Sequence, residues 1–181
     1  MAMDPAALST HIPSLRRYAR ALTGDPQRAD DLVQDTLERA LRKGGLWRAG
    51  SDLRAWLFTL MHNLFANQAR GRSRRDGSAV HIDADDAAEE LHGPGGANDL
   101  MLDLQRCLLR LPPEQRAVLL LVSVEDLSYE EVAQVLAIPI GTVMSRLSRA
   151  RSRLRELLDA PPAGIETRPA SDGVPTLRRL K

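Results

Sequence analysis

Aromatic side chains are scarce in this chain, 3% of 181 residues. A core short of rings must be built from Leu, Val and Ala, which suits packed helices better than sheets. Cys107 stands alone, which excludes an intrachain disulfide; among Leu104, Leu108 and Leu109 it reads as a small core residue. The four histidines (His11, His62, His81 and His92) are scattered, with no ligand spacing beside Cys107, so neither a metal nor a cofactor is expected. No apolar run approaches the ~20 residues of a membrane span. The N-terminus lacks a basic-then-apolar signal pattern, so a cytoplasmic chain without membrane insertion is expected. There is no solenoid repeat, no phosphate-cradling glycine loop, and no Ser/His/Asp or paired-carboxylate arrangement that closes on itself. The expectation is therefore that the protein is not an enzyme.

What is present is ordinary globular composition, 43% hydrophobic and 27% charged, in a length that fits one or two small domains. The formal net charge of +1 conceals strong segregation. Residues 1–75 carry 13 Lys/Arg against 7 Asp/Glu, whereas residues 76–99 carry 7 acids and no Lys/Arg. Residues 100–160 balance at 8 and 8, and residues 161–181 carry 4 and 2. Such blocks point to separate modules with different electrostatic partners.

In the first module, Leu8, Ile12, Leu15, Ala19 and Leu22 form one helical stripe that ends at Gly24. Asp25-Pro26 opens the next helix, an N-cap with proline at the first helical position. Over residues 26–42, Ala29, Leu32, Val33, Thr36, Leu37, Ala40 and Leu41 face inward. Asp31, Gln34, Asp35 and Glu38 form an acidic stripe on the other side, either a solvated face or a docking surface for a basic partner. The glycines of residues 43–51 mark a loop, in which Trp47 is a core anchor or a stacking surface. A long helix runs from about Asp52 to Arg72, with Leu53, Trp56, Leu57, Leu60 and Leu64 as its buried stripe. Asn63, Asn67, Arg70 and Arg74 share another face. Asparagine is a mediocre helix former, so two of them one turn apart call for a reason. Amides bonding bases, with arginines below them for phosphate, supply one; the alternative is that the arginines merely favour the helix C-terminus.

Residues 76–99 are rich in Gly, Ala and acids, lack an apolar stripe, and read as a flexible acidic linker. Leu100, Leu104, Cys107, Leu108 and Leu111 begin a second helical core, and a helix follows through Ala117 to Val122. Ser128 and Glu131 have capping-box spacing for a short helix bearing Val132, Val135 and Leu136. Pro139 and Gly141 break it, and Thr142 is a good N-cap for the next. There Val143 and Leu147 point inward, while Ser145, Arg146, Arg149 and Ser152 point outward. A short helix locked on a partner and presenting Ser and Arg is what a helix-turn-helix inserts into the major groove. The bland alternative is a surface hairpin with a solvated charged face. Pro161-Pro162 stops the helix, and the tail over 161–181 reads as disordered.

Taken together, these blocks resemble the extracytoplasmic-function (ECF) group of RNA polymerase sigma factors of the sigma-70 family. Residues 30–40 resemble its polymerase-docking helix and residues 53–63 its promoter-melting helix. Residues 111–116, 127–133 and 141–151 resemble its C-terminal helix-turn-helix domain. The resemblance implies an all-α fold of two small helical domains, a region 2-like bundle over 1–75 and a region 4-like domain over 100–160, joined by the acidic linker. It implies that Asp31, Gln34, Asp35 and Glu38 dock the clamp helices of the largest subunit of core RNA polymerase. It implies that Thr142, Ser145, Arg146 and Arg149 meet the −35 element of promoter DNA. Asn63 and Asn67, with Trp47, Arg70 and Arg74, would serve the −10 element, and the loop Trp47–Asp52 would receive a flipped base. The linker would thread the nascent-RNA path. Members commonly have an anti-sigma factor, clamped over the same two modules. Met144 and Ala66 stand where basic residues are common, which bears on promoter sequence and affinity. Two other readings compete: a helix-turn-helix transcription regulator that does not bind polymerase, and a sigma-like decoy that binds an anti-sigma factor.

Overall fold

The computed structural model describes residues 5–47, 51–76 and 97–159; for Leu46, 72–76 and 97–99 only the backbone is described. The expected linker and tail lie outside the described residues, apart from the ends noted below. Eight α-helices and no strand are found among the described residues. They are α1 (Pro5–Ser9), α2 (Ile12–Thr23), α3 (Pro26–Lys43), α4 (Leu53–Asp76), α5 (Ala97–Leu109), α6 (Pro113–Ser123), α7 (Tyr129–Leu136) and α8 (Ile140–Asp159). None of them is long and apolar enough to cross a membrane.

Local chemistry sets most of the boundaries. The single helix expected from Leu8 to Leu22 is two, because Pro13 lacks an N–H and its ring would meet the carbonyl of Ser9. Gly24 ends α2 in the left-handed conformation, φ 75°, and its N–H reaches the Arg20 carbonyl. The Asp25 side chain accepts from the Arg28 N–H and so caps α3. Asp52 does the same for α4, through the amides of Arg54 and Ala55. Ser128 and Glu131 form both bonds of the capping box on α7. That helix closes on Ala137, left-handed at φ 52° without being glycine. Thr142 is not the cap of the last helix: α8 already begins at Ile140, and the Thr142 N–H bonds to the Pro139 carbonyl within its first turn. At the linker ends, α4 runs on to Asp76 and α5 begins at Ala97.

Helices α2, α3 and α4 pack together as the first module, and α5 to α8 as the second. The two are not held apart. Helix α4 lies against α7, and α2 lies against both α5 and α6, so one continuous apolar core runs from Leu8 to Ala150. This explains why the sequence stripe on α4 was too narrow. Besides Leu57 and Leu60, Phe58, Met61 and Phe65 are buried, because α4 meets α3 on one side and α7 on another. Leu41 departs the other way: it is 49% exposed in the last turn of α3, where Arg42 and Lys43 are exposed too.

One contact between the modules is tight enough to test. A Cβ added at Gly24 would lie 2.6 Å from both methyl carbons of Leu109, a residue of α5. Gly24→Ala is therefore expected to lower stability by about 2 kcal/mol, from the left-handed backbone and the collision together. Adding Leu109→Ala should recover the collision part alone, which thermal or denaturant unfolding of the single and double variants will read as non-additivity.

Candidate nucleic-acid interface

The seam between the modules is polar at two points, and these orient everything exposed around it. Glu125, in the turn after α6, has no exposed surface. Its Oε1 accepts from Arg17 Nε at 2.9 Å, and its Oε2 accepts from Arg17 Nη2 at 3.0 Å and Arg54 Nη2 at 2.8 Å. Both arginines belong to the first module. The bond to Glu125, and then its charge, raise the pKa of Arg17 above its ordinary value. In return, Arg116 of α6 is buried, with no carboxylate partner among the described residues, and donates to the Leu22 and Leu111 carbonyls at 3.0 and 3.4 Å. The Leu22 carbonyl sits in the last turn of α2, at the negative end of its dipole, where a cation is favoured. Burial lowers the Arg116 pKa to about 10, which leaves it charged at neutral pH. Between these groups Tyr18 stacks edge-on against Phe58, ring centroids 5.3 Å apart. Its phenol pKa is raised, first by burial and then by the charge of Glu125.

None of Arg17, Arg54, Arg116 or Glu125 stood out in the sequence. Glu125 reads as a turn acid beside Asp126, and no local pattern joins it to Arg17, 108 positions away. Arg116 leaves one signal: a cation opening the apolar run Ala117–Val122.

The acidic stripe lies on the outer face of α3, with Asp31, Gln34, Asp35 and Glu38 all exposed. Gln34 donates to Glu38 at 3.3 Å, and Gln68 of α4 donates to Asp35 at 3.3 Å. Beside it an open cleft of about 370 Å³ is lined by Asp35, Arg39, Arg42, Lys43 and Leu64. On α4, Asn63, Asn67 and Arg70 are exposed together. Arg70 Nη2 donates to Asn67 Oδ1 at 2.7 Å, which occupies the amide oxygen and leaves the amide N–H groups to donate outward. The Arg74 side chain lies outside the described residues, as do residues 48–50 of the loop. Trp47 is half-buried against the core, with its indole N–H buried and unpartnered among the described residues, which is the anchor arrangement.

The residues expected on the reading face of α8 divide. Arg149 is exposed, Thr142 and Ser145 are half-buried, and the Ser145 hydroxyl donates to the Thr142 carbonyl at 3.1 Å. Arg146 does not point freely outward: its side chain is 24% exposed and its Nη2 lies 2.6 Å from Glu114 Oε2. That pair lies near enough to His62 of α4 for both of its charges to act on the imidazole. Val143 and Leu147 face inward as expected. Among the described residues, no group of three or more His, Cys, Asp or Glu is placed to hold a metal.

Two profiles of known families match. Residues 8–62 match the Sigma2 domain of PhyR, and residues 101–154 match Sigma-70, region 4. An ECF RNA polymerase sigma factor, EcfG of Rhodopseudomonas palustris, is 43% identical over 148 residues, spanning 81% of this chain and 80% of that protein. In the co-crystal structure of the sigma factor RpoE with the anti-sigma factor NepR from Bartonella quintana, the TM-score is 0.72 at 38% identity, covering 84% of this chain and 94% of the other. The PhyRSL–NepR complex from Sphingomonas sp. Fr1 is similar at TM-score 0.61 and 25% identity, covering 90% and 96%.

Burial, and then the charge of Arg146, lower the pKa of His62 from 6.5 to about 4, opposed in part by Glu114. The unfolded chain therefore takes up this proton first as pH falls. The stabilisation from His62 is complete above about pH 6.5 and is lost as pH falls toward 4, up to about 3 kcal/mol for a shift of this size. Melting temperatures across that window should fall more steeply for the native chain than for His62→Gln; parallel curves would contradict the assignment.

Proposed function

The chain belongs to the ECF family of RNA polymerase sigma factors, and from that premise we propose that it binds core RNA polymerase and directs it to promoters by reading two DNA elements. The observation that carries this reading is the placing of three unlike surfaces on one fold. The acidic stripe of α3 is exposed, as a face for the clamp helices of the largest polymerase subunit needs to be. The Asn63, Asn67 and Arg70 face, with the Trp47 loop and Arg74, serves the −10 element: amide donors meet unpaired bases, and arginines meet phosphate. Thr142, Ser145, Arg146 and Arg149 serve the −35 element from the major groove. The division of labour follows residues 1–75 and 100–160, with 76–99 as connector. RpoE and the PhyR fragment are each solved with NepR, which supports an anti-sigma partner for this chain as well.

A second reading, the decoy, is favoured by the match of residues 8–62 to the domain of PhyR, an anti-anti-sigma factor, and by the likeness to PhyRSL bound to NepR. A decoy has no use for a DNA-reading face, and the exposed Arg149 argues for the sigma factor.

Reversing Asp31 and Asp35 together to Arg is expected to weaken core-polymerase binding at least about tenfold, while leaving stability within about 0.5 kcal/mol because both sites are exposed. Run-off transcription should be lost with it; transcription that survives the reversal overturns the docking assignment. Arg149→Ala should instead spare polymerase binding and cost roughly 1–3 kcal/mol of promoter recognition.

A further inference from the structure

The Glu125 clasp does more than join two modules. We propose that Arg17 and Arg54 form an anion cradle of the first module, which Glu125 fills in the closed chain and a backbone phosphate of duplex DNA fills once the modules part. The inference rests on the sigma-factor reading in one respect: reading two separated promoter elements requires the modules to part.

The geometry is that of oxyanion recognition. Arg17 presents its Nε and Nη2 as a fork to the two carboxylate oxygens, at 2.9 and 3.0 Å, and Arg54 adds a third donor at 2.8 Å. The two non-bridging oxygens of a phosphodiester accept the same set of donors. Arg54 is also held by a contact other than the occupant. The Arg54 guanidinium lies over the Phe58 ring, 5.6 Å from its centroid, and Phe58 is fully buried and stacked on Tyr18. Arg17 stands on α2 between Arg16 and Arg20, both exposed. No carboxylate of the first module bonds the guanidinium of Arg17 or Arg54 among the described residues, so the departure of Glu125 leaves two adjacent cations without a bonded counter-ion. Residues 1–75 carry six more Lys/Arg than Asp/Glu, which adds to their pull on a polyanion. Closure and DNA then compete for one site, so each weakens the other by the same factor.

The test compares the full-length chain with Glu125→Gln and with the double variant Arg17→Gln, Arg54→Gln. Each is measured by small-angle scattering and by binding to a short duplex of random sequence across a salt series. Both variants should be expanded relative to the native chain. Glu125→Gln should bind the duplex more tightly, with a log K against log salt slope steeper by about one, the contribution of one phosphate contact. The arginine variant should bind no more steeply than the native chain, although it is equally open. Equal affinity and slope for the two variants would overturn the proposal, as would an unexpanded Glu125→Gln or an unchanged slope. If Glu125→Gln loses its helical circular dichroism, the native chain is titrated with inorganic phosphate. Expansion beyond that in chloride at matched ionic strength is then expected, and equal behaviour in the two salts overturns the proposal. The duplex holds no promoter and the assay no polymerase, so failure here leaves the sigma-factor reading standing, and failure of promoter-directed transcription leaves this result standing.

Discussion

A carboxylate with no exposed surface must be paired, and Glu125 is paired entirely across the seam. Taking an ion out of water costs several kcal/mol, and leaving it buried alone costs more than the pair contributes. Arg17, about half-exposed at 54%, adds less to the clasp than Arg54 at 31%, because solvent screens it more. The clasp sets the register of the two modules as well as holding them closed. The modules close only where two arginines meet Glu125, and where Arg116 at the same time meets the last turn of α2. An apolar seam alone would tolerate sliding; these polar contacts do not.

The rest of the arrangement follows from that register. With α4 held against α7, its apolar residues are covered on two sides, and its Asn63, Asn67 and Arg70 face is left outward. Arg146 is drawn to Glu114 beside His62, while Arg149 stays exposed on the next turn of α8. In the closed chain the two arginines proposed to read DNA are thus unequal, Arg146 engaged and Arg149 exposed. The outer face of α3 is untouched by closure. On the proposed assignment, docking to polymerase and reading of DNA are therefore separable in this fold: the first needs no opening and the second does.

What was legible in the sequence was local. Asp25-Pro26, Gly24, and the Ser128 and Glu131 box set helix ends through bonds spanning three or four residues, and each stands where spacing alone placed it. The all-α architecture was legible for the same reason, since stripes of Leu and Ala at helical spacing need no distant partner to be recognised. Thr142 shows the limit of that reasoning: a strong start signal fixed the neighbourhood of the boundary and missed its position. At Pro13 an unbroken apolar stripe concealed a boundary altogether. The seam was not legible. Arg54 and Glu125 stand 71 positions apart, and each taken alone has the pattern of a surface residue. The breadth of the buried surface on α4 and the engagement of Arg146 depend on that seam, so they were missed with it.

The chain is held closed through Glu125 and parts its two modules when it reads promoter DNA. The most direct measurement is the distance between probes on exposed Gln27 of α3 and exposed Ser152 of α8, in a chain with Cys107→Ser, read by electron paramagnetic resonance in the free chain and in its complex with core RNA polymerase and promoter DNA. A single short distance in the free chain that gives way to a longer one in the DNA-bound complex is the predicted result. A distance that is the same in the two states would contradict it.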